Sequence, residues 1–183
     1  MTAKKKSTRT STTRKSTKIT ELAVNDARFK YMKHEHQHPH AHPECKFCRN
    51  IKAKKDLILE NDHLVVMFGR LHHKGHLVIM PKAHEEDLLK LHEKTLDSFM
   101  NDTIHVMKAL GKAIKPDIFN LEYLSNWDHH IHWNVYPRFK KDDDWGNPPV
   151  IPLKDDKFKP KTMTKKEMDI FNKELSKLRK ELW

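Results

Sequence analysis

Asp128-His129-His130-Ile131-His132-Trp133-Asn134-Val135-Tyr136-Pro137-Arg138 alternates polar and apolar residues over most of its length. Side chains on a β-strand point to opposite faces in turn. The spacing therefore places His130, His132, Asn134 and Tyr136 on one face, and Ile131, Trp133 and Val135 on the other, where they can anchor a core. Neighbours in the polar row stand roughly 7 Å apart, twice the strand rise. Three readings follow. A neutral imidazole is a competent nucleophile toward phosphorus, with the adjacent imidazole and amide orienting it. Two imidazoles can form part of a catalytic metal site. The row can also be a solvated sheet face.

Working outward from this strand, the chain reads as an α+β fold. Asp56–Glu60, His63–Phe68 and His76–Met80 read as strands, with Pro81 stopping the third. Residues 85–115 read as a helix, because Leu96, Met100, Thr103, Met107, Leu110 and Ile114 recur at steps of three and four. Asp117–Leu124 and His130–Tyr136 read as two further strands, and Pro148, Pro149 and Pro152 mark a loop. Thr164 and Glu167 have the spacing of a capping box, opening a helix over Thr164–Trp183. Its apolar stripe is Met168, Phe171, Leu175, Leu178 and Leu182. The order β-β-β-α-β-β argues for an antiparallel sheet.

Charge divides the 183-residue chain into parts. The net charge is +11. Residues 1–18 hold seven basic residues and no acid, residues 154–183 hold ten basic and six acidic, and residues 19–153 balance. The basic start is low in complexity and too polar to fold alone. It reads as a disordered arm for nucleic acid or another polyanion, or as a solubilising tail. Residues 19–44 read as a short helix followed by a linker with alternating histidines, His34 to His42; Pro39 and Pro43 forbid a helix through them. The linker is either solvated or a weak metal binder. The body spans 45–153, followed by the basic amphipathic helix of 154–183.

Composition excludes several classes. The four glycines, Gly69, Gly75, Gly111 and Gly146, are too sparse for a dinucleotide fingerprint or a P-loop. The apolar runs Leu64–Phe68 and Leu77–Met80 are of strand length, so no membrane span is expected. No apolar leader follows Met1, and the cytoplasm is the expected location. The two cysteines, Cys45 and Cys48, form one CxxC, which can be half a zinc site, a redox pair or neither.

Three segments together resemble the histidine triad (HIT) superfamily. His130-Ile131-His132-Trp133-Asn134-Val135-Tyr136-Pro137-Arg138 is similar to its motif of alternating histidines. Gly75-His76-Leu77-Val78-Ile79-Met80-Pro81-Lys82-Ala83-His84 resembles its other characteristic segment. Cys45-Lys46-Phe47-Cys48 resembles the zinc half-site of many members. The resemblance covers about residues 45–150.

It implies an antiparallel sheet with helices on one side, commonly paired into a homodimer. It implies chemistry at the α-phosphorus of nucleotides through a nucleotidyl-histidine intermediate. By position, His132 is the nucleophile, and His130, Asn134, Asn126 and, with a one-residue offset, Asn120 line the substrate. The expected activity is hydrolysis of dinucleoside polyphosphates or phosphoramidates. The alternatives are transfer to a non-water acceptor, or a non-catalytic nucleotide-binding module.

Two departures stand out. Asn134 replaces the third histidine, where the branch that includes galactose-1-phosphate uridylyltransferase carries glutamine; an amide can donate a hydrogen bond but cannot act as an acid. Phe68 stands where members place an acidic or amide residue against the ribose, so Gly69-Arg70 takes that role or ribose recognition differs. The resemblance also implies a structural zinc held by Cys45, Cys48, His84 and His130, with His42 and His63 as rival ligands. His72 and His73, just before Gly75, are further candidates for phosphate contact, whereas His92 and His105 read as surface residues.

Overall fold

The computed structural model describes residues 45–150 and 158–181. The basic arm, the histidine-rich linker and Leu182 lie outside the described residues. Helix α1 (Lys46–Lys52) is followed by strands β1 (Leu57–Glu60), β2 (Leu64–Phe68) and β3 (Leu77–Pro81). Helix α2 (Glu93–Ile114), strands β4 (Ile118–Glu122) and β5 (Trp133–Arg138), and helix α3 (Lys165–Glu181) complete the order. The five strands make one antiparallel sheet in the order β1-β2-β3-β5-β4.

One face of the sheet carries the main core. Leu59, Leu64, Val66, Leu77, Ile79 and Val135 meet Phe99, Val106, Leu110 and Ile114 of α2 and Phe171 and Leu175 of α3. The buried side of α2 is centred on Phe99, Thr103, Val106, Leu110 and Ala113. The stripe read from sequence shares Thr103, Leu110 and Ile114 with it, but Leu96, Met100 and Met107 lie at its margin. The other face is closed over β2 and β3 by α1, where Cys45 and Phe47 pack on Val65, Met67 and Met80.

Two boundaries shift for local reasons. The helix read over 85–115 begins at Glu93. Asp87 accepts from Leu89 N–H at 3.0 Å and caps a single 3₁₀ turn, Leu88–Lys90, and His92 then caps α2. The strand read from His130 begins at Trp133. Its pairing with β3 ends at Ile79↔Trp133, and Pro81, two residues on, has no N–H to continue the ladder. Ile131 N–H donates instead to Glu85 O at 2.7 Å. The alternation nevertheless persists: Ile131 and Val135 lie in the helix-side core, and Trp133 stacks on Phe99.

The capping box forms as read. Thr164 N–H donates to Glu167 Oε2 at 2.7 Å, and Glu167 N–H returns to Thr164 Oγ1 at 3.3 Å.

Candidate functional site

The polar row runs along the sheet face opposite α2 and α3. Cross-strand partners share a face. The pairs Glu122↔Asn134 and Asn120↔Tyr136, together with Val78↔Asn134, therefore set the floor of the site. His132 and Phe47 border it on one side, and His76 and Tyr136 on the other.

His132 is buried, at 8% exposure. Its Nδ1 lies 2.7 Å from the His130 carbonyl oxygen. A carbonyl only accepts, so Nδ1 carries the proton and Nε2 keeps its lone pair. The Phe47 ring packs 5.1 Å from the imidazole, centroid to centroid. Burial pulls the His132 pKa below the ordinary histidine value, outweighing the His130 carbonyl and the Asp128 charge. The ring is thus held neutral, oriented and unprotonated at Nε2, which is the state a nucleophile needs.

Asn134 is fixed by a residue to which the sequence reading gave no role. His76 Nε2 donates to Asn134 Oδ1 at 3.2 Å. The His76 ring is stacked on Tyr136 at 4.2 Å, and it rests so close over Gly69 that a Cβ there would lie 2.3 Å from it. With its oxygen engaged, Asn134 presents its NH₂ group to the site. Burial, then the neighbouring His72, lowers His76 to about 3, so it stays neutral while donating. The signal in sequence was an imidazole at the head of the apolar run Leu77–Met80.

The remaining sequence candidates are placed as follows. Asn120 Oδ1 accepts from Arg138 Nη1 at 2.6 Å. Asn126 is exposed in the segment between β4 and β5. Phe68 packs toward the helix-side core, so Gly69 and not Phe68 is presented to the site. His72 and His73 are buried in a ring cluster with His76 and Tyr136. His73 Nε2 pairs with Asp144 Oδ1 at 3.1 Å. His92 caps α2, and His105 is half-buried on it.

The four predicted metal ligands converge. Cys45, Cys48, His84 and His130 bring their ligand atoms within 4.8 Å of one another. Cys48 Sγ lies 3.3 Å from His84 Nδ1 and 3.6 Å from His130 Nδ1, and Cys45 Sγ lies 3.6 Å from His130 Nδ1. Both imidazoles turn Nδ1 to the sulfurs and give Nε2 to an outer acceptor. His130 Nε2 donates to the Pro81 carbonyl at 2.9 Å, and His84 Nε2 faces Glu86 at 3.4 Å. This is how ligating histidines are oriented around a metal. Burial, then the charge of Cys45, pushes the Cys48 thiol up to about 12. Two packed thiols resist joint ionisation, and a bound dication removes that cost. A closed two-thiolate, two-imidazole set fits a structural tetrahedral ion. His63 lies outside the cluster, on the β1–β2 turn, and His42 falls outside the described residues. A second group, His73, Asp142 and Asp144, is already served by Arg138, whose guanidinium lies 3.0 Å from Asp144 and 3.6 Å from Asp142.

No family model matches the chain. An uncharacterized HIT-like protein of Methanocaldococcus jannaschii is 25% identical over 105 residues, covering 54% of this chain and 81% of the relative. An uncharacterized HIT-like protein of Borreliella burgdorferi is 27% identical over 119 residues, covering 54% of this chain and 78% of the relative. Among solved structures, a Zn-bound histidine triad family protein from Mycobacterium smegmatis has a TM-score of 0.57 at 18% identity, covering 76% of this chain and 99% of the other. A hypothetical histidine triad nucleotide-binding protein from Sulfolobus tokodaii has a TM-score of 0.55 at 20% identity, covering 75% and 96%. The structural likenesses establish the fold. The sequence relatives and the three motif segments, in order along that fold, support membership of the histidine triad superfamily.

Proposed function

We propose that the protein is a nucleotide hydrolase of the histidine triad type, with His132 as nucleophile. The observation that carries this reading is the 2.7 Å bond from His132 Nδ1 to the His130 carbonyl, which leaves the Nε2 lone pair for an electrophile. Nε2 attacks the α-phosphorus of a nucleoside phosphate, and the bond from phosphorus to the leaving group breaks. The Asn134 NH₂, aimed by His76, donates to a phosphoryl oxygen as charge develops there. Asn126 and Asn120 are the amides that the resemblance assigns to substrate. Water then attacks the nucleotidyl-histidine and releases the nucleoside monophosphate.

The Cys45, Cys48, His84 and His130 set is proposed to hold zinc, which would tie the loop before α1 to the segment carrying His132. The Zn-bound neighbour supports the choice of ion. A homodimer, a cytoplasmic location and a polyanion contact through residues 1–18 complete the proposal.

His132→Ala should lower turnover of dinucleoside polyphosphates and nucleoside phosphoramidates by at least ~10³-fold, the scale of losing a nucleophile. Undiminished turnover would remove His132 from this role. A second reading, transfer to a non-water acceptor, is favoured by Asn134. Faster release of the bound nucleotide on adding phosphate or a sugar phosphate would select it.

A further inference from the structure

Replacing an imidazole by Asn134 leaves the site without an acid at that position, because a carboxamide has no proton to give near neutral pH. The residue directly across from Asn134 on β4 is Glu122. Directly opposed Cβ atoms lie about 4.5–5.5 Å apart and diagonal neighbours about 7–8 Å. Glu122 therefore stands beside the amide, and His132 lies two residues before Asn134, just ahead of β5. It lies at the end of the sheet's edge strand, half-buried, on the face that carries Asn134, Tyr136 and Asn120.

Its neighbours do not account for it as a structural ion pair. The cation on this face of β5 is Arg138, four residues beyond Asn134, and its guanidinium is bonded to Asn120, two residues before Glu122 on β4. Arg138 already holds Asp144, Asp142 and Asn120. Other polar side chains of this face are Asn120, the neutral His76 and the Tyr136 phenol, and the charge of Arg70 acts on His76 and Tyr136. Burial raises the Glu122 pKa above the usual carboxylate range, and the Arg138 charge lowers it by less. A carboxyl shifted this way holds its proton closer to neutrality, as a general acid must.

We propose that Glu122 is the general acid and base of the reaction, supplying the proton that Asn134 cannot. This rests on the reading of His132 as nucleophile. In the first step the His132 Nε2 lone pair forms a bond to phosphorus. The bond from phosphorus to the leaving atom breaks, and that atom takes the electron pair together with the Glu122 proton. In the second step water bonds to phosphorus, its proton passes to the Glu122 carboxylate, and the phosphorus–nitrogen pair returns to His132. The carboxyl is restored after each cycle.

The test compares two leaving groups on AMP, GMP and UMP. A p-nitrophenyl ester departs without a proton, whereas the phosphoramidate nitrogen must depart protonated. Both rates are read in a single turnover, as release of the first equivalent of leaving group, before the water step that the two substrates share. Glu122→Gln should lower this rate on the phosphoramidate by about 10²-fold, within the range of general acid catalysis. The same protein should release the first equivalent of p-nitrophenolate within about threefold of the wild-type rate, since that step has no need of an acid. The ratio of the two rates, taken on one preparation, is independent of the fraction folded. Equal losses on both substrates, or no loss on either, overturn the role of Glu122 while leaving His132 in place. Full activity of His132→Ala on both, or a wild-type protein inert to all of them, overturns the nucleophile and the acid together.

Discussion

A methyl group added to Gly69 would lie 2.3 Å from the His76 ring, closer than carbon atoms approach without something shifting. The ring is also stacked on Tyr136 at 4.2 Å, which limits its movement. Gly69 is therefore needed for the space above its Cα. Gly69→Ala should cost about 1–3 kcal/mol, the usual range for overpacking a filled site. Displacing His76 would also break the 3.2 Å bond that sets the Asn134 amide. Denaturant melts should show the stability loss, and kcat should fall by more than the fraction unfolded explains. A variant as stable and as active as wild type would mean that the ring has room to move. That His132 and Asn134 share a face was legible in the sequence from their alternation, while their roles came from the resemblance. The hold that His76 has on Asn134 was not, because it joins residues 58 positions apart through the register of two strands.

At the scale of elements, patterns with local causes were the legible ones. The capping box of α3 and the apolar runs of β2 and β3 appear where the sequence put them. A start governed by another segment was not: β5 is shortened by Pro81 on β3. The later start of α2 has a local cause, the caps at Asp87 and His92, which the apolar spacing does not carry. Phe171, fully buried between α3 and the core, gives the packing of α3 a number. Phe171→Ala should destabilise by about 3–5 kcal/mol, measured as a shift of the urea midpoint. A loss below about 1 kcal/mol would mean that α3 is not held by this face. Helix α1 depends on a different device. Its buried core residue is Phe47, with Cys48 and Ile51 packed against the same cluster, and its seven residues are too few to persist as a helix unaided. Cys45 and Cys48 tie it to His84 and His130. Removing metal with a chelator, or replacing Cys48 by Ser, should lower the thermal midpoint by about 10 °C, on the scale of a few kcal/mol for a domain of this size. Amide exchange should quicken first in α1 and at His130. Protein that is free of metal at the outset and unaffected by chelator would reject the zinc assignment.

Across the whole molecule, the +11 charge lies mostly at the ends of the chain, while the residues assigned to chemistry lie in the balanced middle. The acid sensitivity of the fold should accordingly come from a few buried groups. His72 and His76 are the clearest. Burial, then the neighbouring His73, lowers His72 to about 4; burial, then His72, lowers His76 to about 3. In the unfolded chain both take up a proton near pH 6.5. Between pH 6.5 and 4 the unfolded state therefore binds more protons than the folded state, and stability falls as pH falls. By pH 5 the His76 contribution alone is roughly 2 kcal/mol, and His72 acts in the same direction. The carboxylates with lowered pKa, Asp144 and Glu167, lose their contribution only below the ordinary carboxylate range, and Glu122, whose pKa is raised, acts in the opposite direction to the imidazoles, so a decline from pH 7 to pH 5 is theirs. His72 also allows a control. Both its ring nitrogens are buried and lack a hydrogen-bond partner, and its ring packs against His73, His76, Tyr136 and Phe158. His72→Phe keeps a ring in that cluster and removes one titrating group. Urea midpoints measured at pH 7, 6 and 5 should decline less steeply for His72→Phe than for wild type. Identical slopes would place the acid sensitivity elsewhere in the fold.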